Sequence, residues 1–237
     1  FQKFGKSGKV ATATVKDDSG EIKWRLDILP QETREALNYF SKCEWLAEKG
    51  WYLAGGTALA LRVGNRRSVD LDFFTTKKSF NTGAFIARLA EDSNWKTTSE
   101  EEGTVYGEYK GAKVSFIANP LFIPSGEAPT YGYITVVPSG DIAVMKVLAI
   151  SSRGRKRDFF DLYWCVQSGD PLQSIMDRVP VQYPAASGNM HHILKGLVYF
   201  EDAEEDPEPE IYFTASWKDI KSFFIQEVPR IARRIIK

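Results

Sequence analysis

Two aspartates, Asp70 and Asp72, stand one residue apart in the run SVDLDFF, which covers residues 68–74. If this run is a strand, alternate side chains point to opposite faces, so both carboxylates lie on one face, about 6–7 Å apart. Carboxylates at that separation repel each other unless a cation lies between them, and oxygen ligands suit Mg²⁺ or Mn²⁺. The spacing therefore indicates a metal site on Asp70 and Asp72. The simpler alternative is a solvated face of an antiparallel sheet.

The same alternation assigns the other side chains of this run to one or the other face of the strand. Ser68 falls on the face of the two aspartates, while Val69, Leu71 and Phe73 form the opposite, apolar face. We expect those three apolar residues to be buried in the core.

A second feature lies upstream, where the apolar run WYLA at 51–54 is followed by Gly55, Gly56 and Thr57. We predict a strand that turns into a helix over 57–63, so backbone N–H groups and the positive end of the helix dipole point the same way. Such a helix start binds phosphate oxygens, and the Thr57 hydroxyl either caps the helix or donates to a phosphate. A tight turn that needs glycine only for its backbone is the simpler alternative.

Four charged residues further along stand among apolar residues on two predicted helices. Lys146 and Arg153 share an apolar face of the first helix, and a cation on such a face needs an anion. Asp158 and Asp161 lie three residues apart on the second helix. The simpler alternatives are a lysine that extends past the core to solvent, and buried ion pairs of the aspartates with Arg153, Arg157 or Lys146.

The elements that must position these residues alternate between strands and helices up to residue 138 and are helical afterwards. We predict helices over 30–50, 57–63 and 82–92, strands over 51–54, 68–74 and 133–137, and a hairpin of 104–109 and 112–118 that turns at Lys110 and Gly111. Helices follow over 139–152, 156–167, 171–179, 189–200 and 216–237. We expect a flexible or non-native N-terminal segment at 1–24, an α/β core at 25–138 and a helical domain at 139–237.

Composition narrows the class of protein. The 237 residues carry 31 Lys and Arg and 31 Asp and Glu, so only a local basic patch could attract nucleic acid. Cys43 and Cys165 are far apart, which indicates neither a disulfide framework nor a thiolate metal site. No apolar run is long enough to cross a bilayer. We expect a soluble, cytoplasmic protein without a membrane partner.

Two runs together resemble a known family. GGTALALRVGNRRSVDLDFF at 55–74 resembles the signature of the DNA polymerase β-type nucleotidyltransferase superfamily, in the branch of AbiEii/AbiGii-type toxins of type IV toxin–antitoxin and abortive-infection systems. SGDIAVMKVLAISSRGRKRDFFDLYWCV at 139–166 is similar to the second block of that family. The resemblance covers about 46–168. It implies an α+β fold, with a polymerase β-like nucleotidyltransferase core (a mixed sheet with flanking helices) followed by a mainly helical C-terminal domain that completes the active site.

The resemblance also implies an activity, namely transfer of a nucleoside monophosphate from a nucleoside triphosphate, with Mg²⁺ or Mn²⁺, to an acceptor, and release of pyrophosphate. In the family, the position of Lys146 contacts the triphosphate, and the position of Asp158 lies at the active site, where it orients the lysine or assists the nucleophile. The implied catalytic residues are Asp70, Asp72, Lys146 and Asp158, with the metal on Asp70 and Asp72. The implied nucleotide-binding residues are Gly55, Gly56, Thr57, Arg66, Ser68, Lys146 and Arg153.

Two positions depart from the family pattern. Asn65 stands where members often have histidine, just before Arg66. Ser115 stands on the strand that carries a third carboxylate in many polymerase β-type enzymes, where it is credited with binding the metal or activating the acceptor hydroxyl. We take Asp158 as the substitute base.

The sequence leaves the acceptor open between tRNA, which some relatives modify at its acceptor end, and a protein hydroxyl. The basic runs RGRKRD at 153–158 and PRIARRIIK at 229–237 either contact RNA phosphates or form solvated basic faces near the acidic loop at 201–210. A cognate antitoxin is the other implied partner. His191 and His192 are adjacent on a predicted helix, point apart and are assigned no chemistry.

Two other functions would use the same residues. A degenerate member of the fold would bind nucleotide or RNA without turnover, as Ser115 and Asn65 favour. A phosphotransferase would move the γ-phosphate to a hydroxyl with the same metal and phosphate groups. Retention of charged groups on otherwise apolar elements favours the nucleotidyltransferase.

Overall fold

The computed structural model describes residues 22–235. Residues 1–21, which form most of the predicted N-terminal segment, lie outside the described residues. Within the described range, the strands are β1 (Trp51–Ala54), β2 (Leu71–Thr75), β3 (Trp95–Glu101), β4 (Thr104–Tyr109), β5 (Ala112–Ala118), β6 (Thr130–Tyr131) and β7 (Ile134–Val136).

The helices in the same range flank the sheet and then dominate the chain from residue 139 onward. They are α1 (Gln31–Phe40), α2 (Glu44–Glu48), α3 (Gly55–Val63), α4 (Thr82–Leu89), α5 (Ser139–Arg153), α6 (Lys156–Gln167), α7 (Leu172–Gln182), α8 (Met190–Gly196), α9 (Glu201–Glu204) and α10 (Trp217–Ile235), with 3₁₀ turns at Leu26–Ile28 and Pro184–Asn189. Of these helices, none is both long and apolar enough to cross a membrane. The predicted α+β fold, a mixed sheet followed by a mainly helical region, is confirmed. The division into two domains at residue 139 stays a prediction.

The strands form one mixed sheet in the order β3-β4-β5-β2-β1-β7-β6. At its centre, β2 runs antiparallel to β1 and parallel to β5. This register places Asp72 beside Ala54, the last residue of β1, and beside Ser115 on the other side. The start of α3 and the middle of β5 are therefore both held next to Asp72.

One face of the sheet carries an aromatic core. The rings of Phe73 and Phe116 stack with centroids 5.0 Å apart, and Phe40 of α1 and Phe85 of α4 pack against Phe116 at 5.7 and 4.8 Å. Burial of rings of this size is the main favourable term in holding α1 and α4 on the sheet. Because side chains alternate along a strand, the opposite face at Asp72 is left to the site.

The hairpin of β4 and β5 forms as predicted. Lys110 and Gly111 have φ values of +49° and +88°, and two successive positive φ values are the signature of a type I′ turn. This turn matches the twist of the flanking strands and fixes the register of β4 with β5. The separate parallel pairing of β5 with β2 places Ser115 opposite Asp72.

The observed elements differ from the predicted ones in several places. The helix predicted over 30–50 is two helices that break at 41–43. Strand β2 begins only at Leu71, so residues 68–70 precede it. Val69, which we expected in the core, is 46 % exposed, and its carbonyl accepts a hydrogen bond from Thr33. Strand β3 was not predicted, because it lies at the edge of the sheet and its residues after Trp95 are polar and mostly exposed.

Candidate active site

A cleft of about 630 Å³ lies between the Asp72 face of the sheet and helices α5 and α8. Volumes of this size are typical of sites for small-molecule ligands and cofactors. Nearly all the predicted site residues line it, although they come from four secondary-structure elements, α3, β2, α5 and α6, and from the turn before β2. They are Gly55, Gly56, Arg66, Ser68, Asp70, Asp72, Lys146, Arg153 and Asp158.

The start of α3 forms one wall of the cleft. Ala54 at the N-cap position makes no side-chain capping hydrogen bond, so the first N–H groups of α3 are free of a side-chain cap. Both positions require glycine, because side-chain atoms of Asp72 and Arg66 lie where a Cβ atom would be. Gly55 has φ +70°, and a Cβ atom on it would lie 2.9 Å from Asp72 Oδ2. A Cβ atom on Gly56 would lie 2.1 Å from Arg66 Nη2, so the backbone itself faces the cleft.

Thr57 is a predicted site residue whose side chain is turned inward. It is buried, and its hydroxyl hydrogen-bonds with Ser68 Oγ at 2.9 Å and with the Asp70 carbonyl. These contacts fix the segment before β2 against α3. Thr57 is therefore not among the residues that line the cleft, and its hydroxyl instead fixes the positions of Ser68 and Asp70.

The two carboxylates occupy different surroundings. Asp72 Oδ1 accepts a 2.7 Å hydrogen bond from Ser115, whereas Asp70 Oδ2 lies 3.3 Å from Arg157 Nη1. Burial, followed by the charge of Asp70, raises the pKa of Asp72 above its ordinary value, and the Ser115 hydrogen bond only partly opposes this. The pair therefore carries negative charge that the protein compensates incompletely.

Ser115 lies where the sequence placed it, on the neighbouring strand and paired directly with Asp72. Its hydroxyl supplies a neutral oxygen in place of a third carboxylate. Within residues 22–235, no group of three or more His, Cys, Asp or Glu side chains is positioned to hold a metal. The acidic centre of this cleft is thus the aspartate pair, and the buried Ser115 hydroxyl is hydrogen-bonded to Asp72.

A buried ion network centred on Asp161 holds two residues that line the cleft, Arg66 and Lys146. Arg66 binds Asp161 through two hydrogen bonds of 2.7 and 2.8 Å, and Lys146 Nζ lies 2.7 Å from Asp161 Oδ2. Asn65 donates a 2.8 Å hydrogen bond to the same carboxylate. Although burial opposes it, the charges of Arg66 and Lys146 hold the pKa of Asp161 well below its usual range. The alternative of a buried ion pair is correct for Asp161.

Asp158 borders the cleft but is also fully buried. Its Oδ1 lies 2.5 Å from Lys146 Nζ, and its Oδ2 lies 3.5 Å from Arg153 Nη2. Lys146 is thus held between Asp158 and Asp161, which takes up two of the three N–H donors of its ammonium group. This geometry fits Asp158 as the residue that orients Lys146, and fits poorly with its predicted role as the base.

The basic residues of the run at 153–158 make two kinds of contact. Arg155 and Lys156 bind the acidic stretch at 201–210, which we call the acidic segment. Arg155 Nη2 lies 2.7 Å from Asp206 Oδ1, and the Lys156 ammonium donates to the Asp206 carbonyl at 2.5 Å. Arg153 and Arg157 line the cleft, and their side chains are 57 % and 44 % exposed. Of the described residues of α10, none lines the cleft.

The sequence did not predict the apolar part of the cleft. Beyond the carboxylates the lining becomes apolar, and it includes Phe74, Met145 and Tyr183. Of the two adjacent histidines, His192 reaches the rim. Phe74 could have been found, because it continues the i, i+2 pattern of the aspartates, but Tyr183 is distant in sequence and carries no such signal.

A comparison with known protein families identifies one family for this chain. The chain matches the family described as Nucleotidyl transferase AbiEii toxin, Type IV TA system, over residues 46–119 and 113–234, which extends well beyond the two runs that first suggested it. It is 33 % identical over 204 residues to an uncharacterized protein of Aquifex aeolicus (strain VF5), which covers 84 % of this chain and 96 % of the relative.

Two solved structures align with most of this chain at low sequence identity. A presumed nucleotidyltransferase from H. pylori is 16 % identical, with 86 % of this chain and 96 % of that chain covered and a TM-score of 0.49. MenT4, a nucleotidyltransferase toxin from Mycobacterium tuberculosis, is 15 % identical, with 87 % and 92 % covered and a TM-score of 0.47.

Proposed function

Because this chain belongs to the AbiEii nucleotidyltransferase toxin family of type IV toxin–antitoxin systems, we propose that it transfers a nucleoside monophosphate from a nucleoside triphosphate to tRNA or to a protein hydroxyl. One observation carries the proposal. The aspartate pair, Asp70 and Asp72, lies in one cleft with the uncapped start of α3, and Gly55 approaches Asp72 closely. Nucleotidyl transfer needs this combination of a cation site and a phosphate site.

The donor set fits Mg²⁺ or Mn²⁺. Asp70, Asp72 and the Ser115 hydroxyl supply only oxygen, and Mg²⁺ commonly binds through one or two carboxylates together with substrate phosphates. The raised pKa of Asp72 next to Asp70 indicates that the protein itself supplies too little positive charge at this point, which favours binding of a cation. When bound there, the cation would stabilise negative charge on the attacking and leaving oxygens.

The phosphates of the nucleotide fit the wall formed by α3. Backbone N–H groups at Gly55 and Gly56 and the positive end of the helix dipole would hold the β- and γ-phosphates, with the Ser68 hydroxyl beside them. Arg153 and Arg157 line the same cleft with exposed guanidinium groups, so they can contact phosphate from the open side.

Lys146 and Asp158 then act as a unit on the opposite wall. The two buried carboxylates fix the ammonium group of Lys146 at the cleft, and its third N–H donor is the one we assign to a phosphate oxygen. Donors held in place before the reaction stabilise the charge that develops on the α-phosphate without reorganising. The acceptor oxygen attacks the α-phosphorus, and pyrophosphate leaves from the opposite side.

The acceptor remains either tRNA or a protein. The exposed Arg153 and Arg157 offer a basic edge for RNA phosphates, but Arg155 and Lys156 are already bound to the acidic segment. We further propose a cytoplasmic reaction, where nucleotides and both candidate acceptors are present, and a cognate antitoxin as partner. Abortive infection is the setting that the resemblance implies.

A second candidate function is nucleotide binding without turnover. Ser115 favours it, because a hydroxyl beside Asp72 replaces the carboxylate that a metal or an acceptor would otherwise contact. Retention of both Asp70 and Asp72 in the cleft favours the enzyme.

Transfer of label separates the two functions. The native protein and Asp72→Asn would be incubated with each α-³²P-labelled nucleoside triphosphate, Mg²⁺, and either total tRNA or cell lysate. We expect label on a macromolecule with the native protein only, and the labelled species identifies the acceptor. Binding of nucleotide without transfer in every mixture would instead support the binding module.

A further inference from the structure

The residues that line the cleft form two groups of different chemistry, which we call the charged and the apolar compartments. The charged compartment holds the aspartate pair and the start of α3, whereas the second compartment is mostly apolar. Its lining includes Phe74, Ile117, Leu121, Ile142, Met145 and Tyr183. The proposed phosphate and metal contacts use only the charged compartment, so the apolar one is left without a role.

The register of the sheet fixes how the compartments are joined. On β2, Phe74 follows Asp72 by two residues, and on β5, Ile117 follows Ser115 by two residues, with Phe74 paired to Ile117. A two-residue step on one face of a strand covers about 6–7 Å. The apolar floor therefore continues directly from the carboxylates, in the direction that leads away from Ser68.

Two polar groups stand in the apolar compartment, Asn119 and Tyr183. Asn119 Nδ2 donates a 3.3 Å hydrogen bond to the Tyr183 hydroxyl. Burial raises the pKa of Tyr183 to about 12, so its hydroxyl stays protonated at neutral pH. Asn119 also interacts with the hydroxyl of the buried Tyr52. A carboxamide has two donor hydrogens and an oxygen with two lone pairs, so these two hydroxyls leave part of its hydrogen-bonding capacity free.

The segments that carry these two side chains are fixed to each other. The Asn119 N–H donates to the Thr75 carbonyl at 2.7 Å, and the Ile123 N–H donates to the Gln182 carbonyl at 2.8 Å. Gln182 in turn donates a 2.7 Å hydrogen bond to the buried Asp141 at the start of α5. The end of β2, the segment after β5, the end of α7 and α5 thus form one rigid frame around Asn119 and Tyr183.

We propose that the apolar compartment binds the nucleobase of the incoming nucleoside triphosphate, with its faces against Phe74 and Tyr183, and that Asn119 reads the edge of the base. This inference rests on the proposed function, which puts the triphosphate at Gly55 and Gly56. A base has apolar faces and a hydrogen-bonding edge, and aromatic side chains with a carboxamide recognise both. Asn119 is then the specificity-determining residue for the nucleotide.

Equilibrium binding tests this assignment. Dissociation constants would be measured in Mg²⁺ for ATP, GTP, CTP, UTP and inorganic tripolyphosphate, with the native protein, Asn119→Ala and Asn119→Asp. We expect the native protein to bind one nucleotide about tenfold or more tighter than tripolyphosphate and to discriminate among the bases. Asn119→Ala should weaken the preferred nucleotide about tenfold and remove most of the discrimination, while tripolyphosphate binds as before.

Two further variants sharpen the experiment. Asn119→Asp keeps the shape of the side chain but exchanges its donor group for an acceptor, so it should change the ranking of the bases. Asn94→Ala removes an exposed carboxamide at the start of β3, outside the cleft, and should leave the ranking unchanged. Thermal unfolding checks that each variant is folded.

The outcomes separate this inference from the proposed function. Equal binding of nucleotides and tripolyphosphate, or unchanged discrimination in Asn119→Ala and Asn119→Asp, would overturn the base site and leave the phosphate site standing. If the folded native protein binds neither nucleotides nor tripolyphosphate, the proposed function fails and the inference fails with it.

Discussion

Asp72 lines the cleft and Asp161 is fully buried next to it, and the two carboxylates have opposite electrostatic surroundings. Asp161 is surrounded by Arg66, Lys146 and Asn65, so its negative charge is satisfied within the fold. Asp72 has Asp70 as a neighbour and a single hydroxyl donor. One carboxylate therefore serves to hold the site together, while the other is kept in an environment that favours an added cation.

For Asp72 the expected effect is on the stability of the metal-free protein. Because the folded-state pKa is raised, the native protein loses stability as the pH rises from about 3.9 through that pKa, and Asp72→Asn escapes this loss. With EDTA at pH 7, we expect Asp72→Asn to unfold about 2–4 °C above the native protein, for a gain of about 1 kcal/mol. Added Mg²⁺ should raise the Tm of the native protein only. A lower Tm for Asp72→Asn in EDTA would contradict this.

For Asp161 we expect the same kind of substitution to lower the stability of the protein. Asp161→Asn leaves Arg66 and Lys146 buried with too little negative charge, so urea denaturation should show a loss of about 3–5 kcal/mol. The lowered pKa means that this stabilisation is present above about pH 4 and is lost as the pH falls through the folded-state value. Asp177→Asn, on an exposed turn of α7, is the matched control and should change stability by less than about 0.5 kcal/mol. A change of similar size in both variants would refute the network.

At the scale of single residues, the sequence predicted groups whose chemistry depends on near neighbours. Asp70, Asp72, Gly55 and Gly56 lie within one short stretch, and the structure brings all four to one cleft. The burial of Asp161 against Arg66 could not be predicted as firmly, because it depends on how α6 docks on a turn 95 residues away.

At the scale of elements, the boundary between β1 and α3 sets the geometry of the site. The antiparallel pairing of β1 with β2 brings Ala54 beside Asp72, and the chain then enters α3 through Gly55. The sequence predicted this strand–helix transition and the β4–β5 hairpin, since glycines mark both. It missed β3 and the exposure of Val69, because edge position and strand length are decided by pairing and not by local alternation.

The close packing of α3 gives a prediction for Gly56. A Cβ atom there would clash with the Arg66 guanidinium, which cannot move without breaking its two bonds to Asp161. We expect Gly56→Ala to lose stability and to weaken nucleotide binding by about tenfold or more, as measured by thermal unfolding and titration calorimetry.

The matched control is Gly83→Ala in α4, where a Cβ atom meets only Asn81 Oδ1, at 3.6 Å. This change should leave nucleotide binding intact and be neutral or stabilising by up to about 1 kcal/mol. Native-like nucleotide binding by Gly56→Ala would show that the start of α3 is not the phosphate site.

At the scale of the whole molecule, the C-terminal third completes the cleft that the first two thirds begin. Tyr183 and His192 lie on its walls, and the segment at 210–212 pairs with the turn that carries Asn65 and Arg66. The acidic segment also binds Arg155 and Lys156, which reduces the basic surface available to RNA. The sequence could not predict this, because the contacts join segments about 50 residues apart or more through packing of helices.

The central claim is that the cleft transfers a nucleotidyl group, and parallel reactions with α-³²P- and γ-³²P-labelled nucleoside triphosphate test it most directly. The native protein, Mg²⁺ and the identified acceptor would be used, with Asp72→Asn as the inactive control. We predict that only the α label enters the acceptor, and that the γ label appears in pyrophosphate in equal amount. Entry of the γ label into the acceptor, or nucleotide binding with no transfer of either label, would contradict the claim.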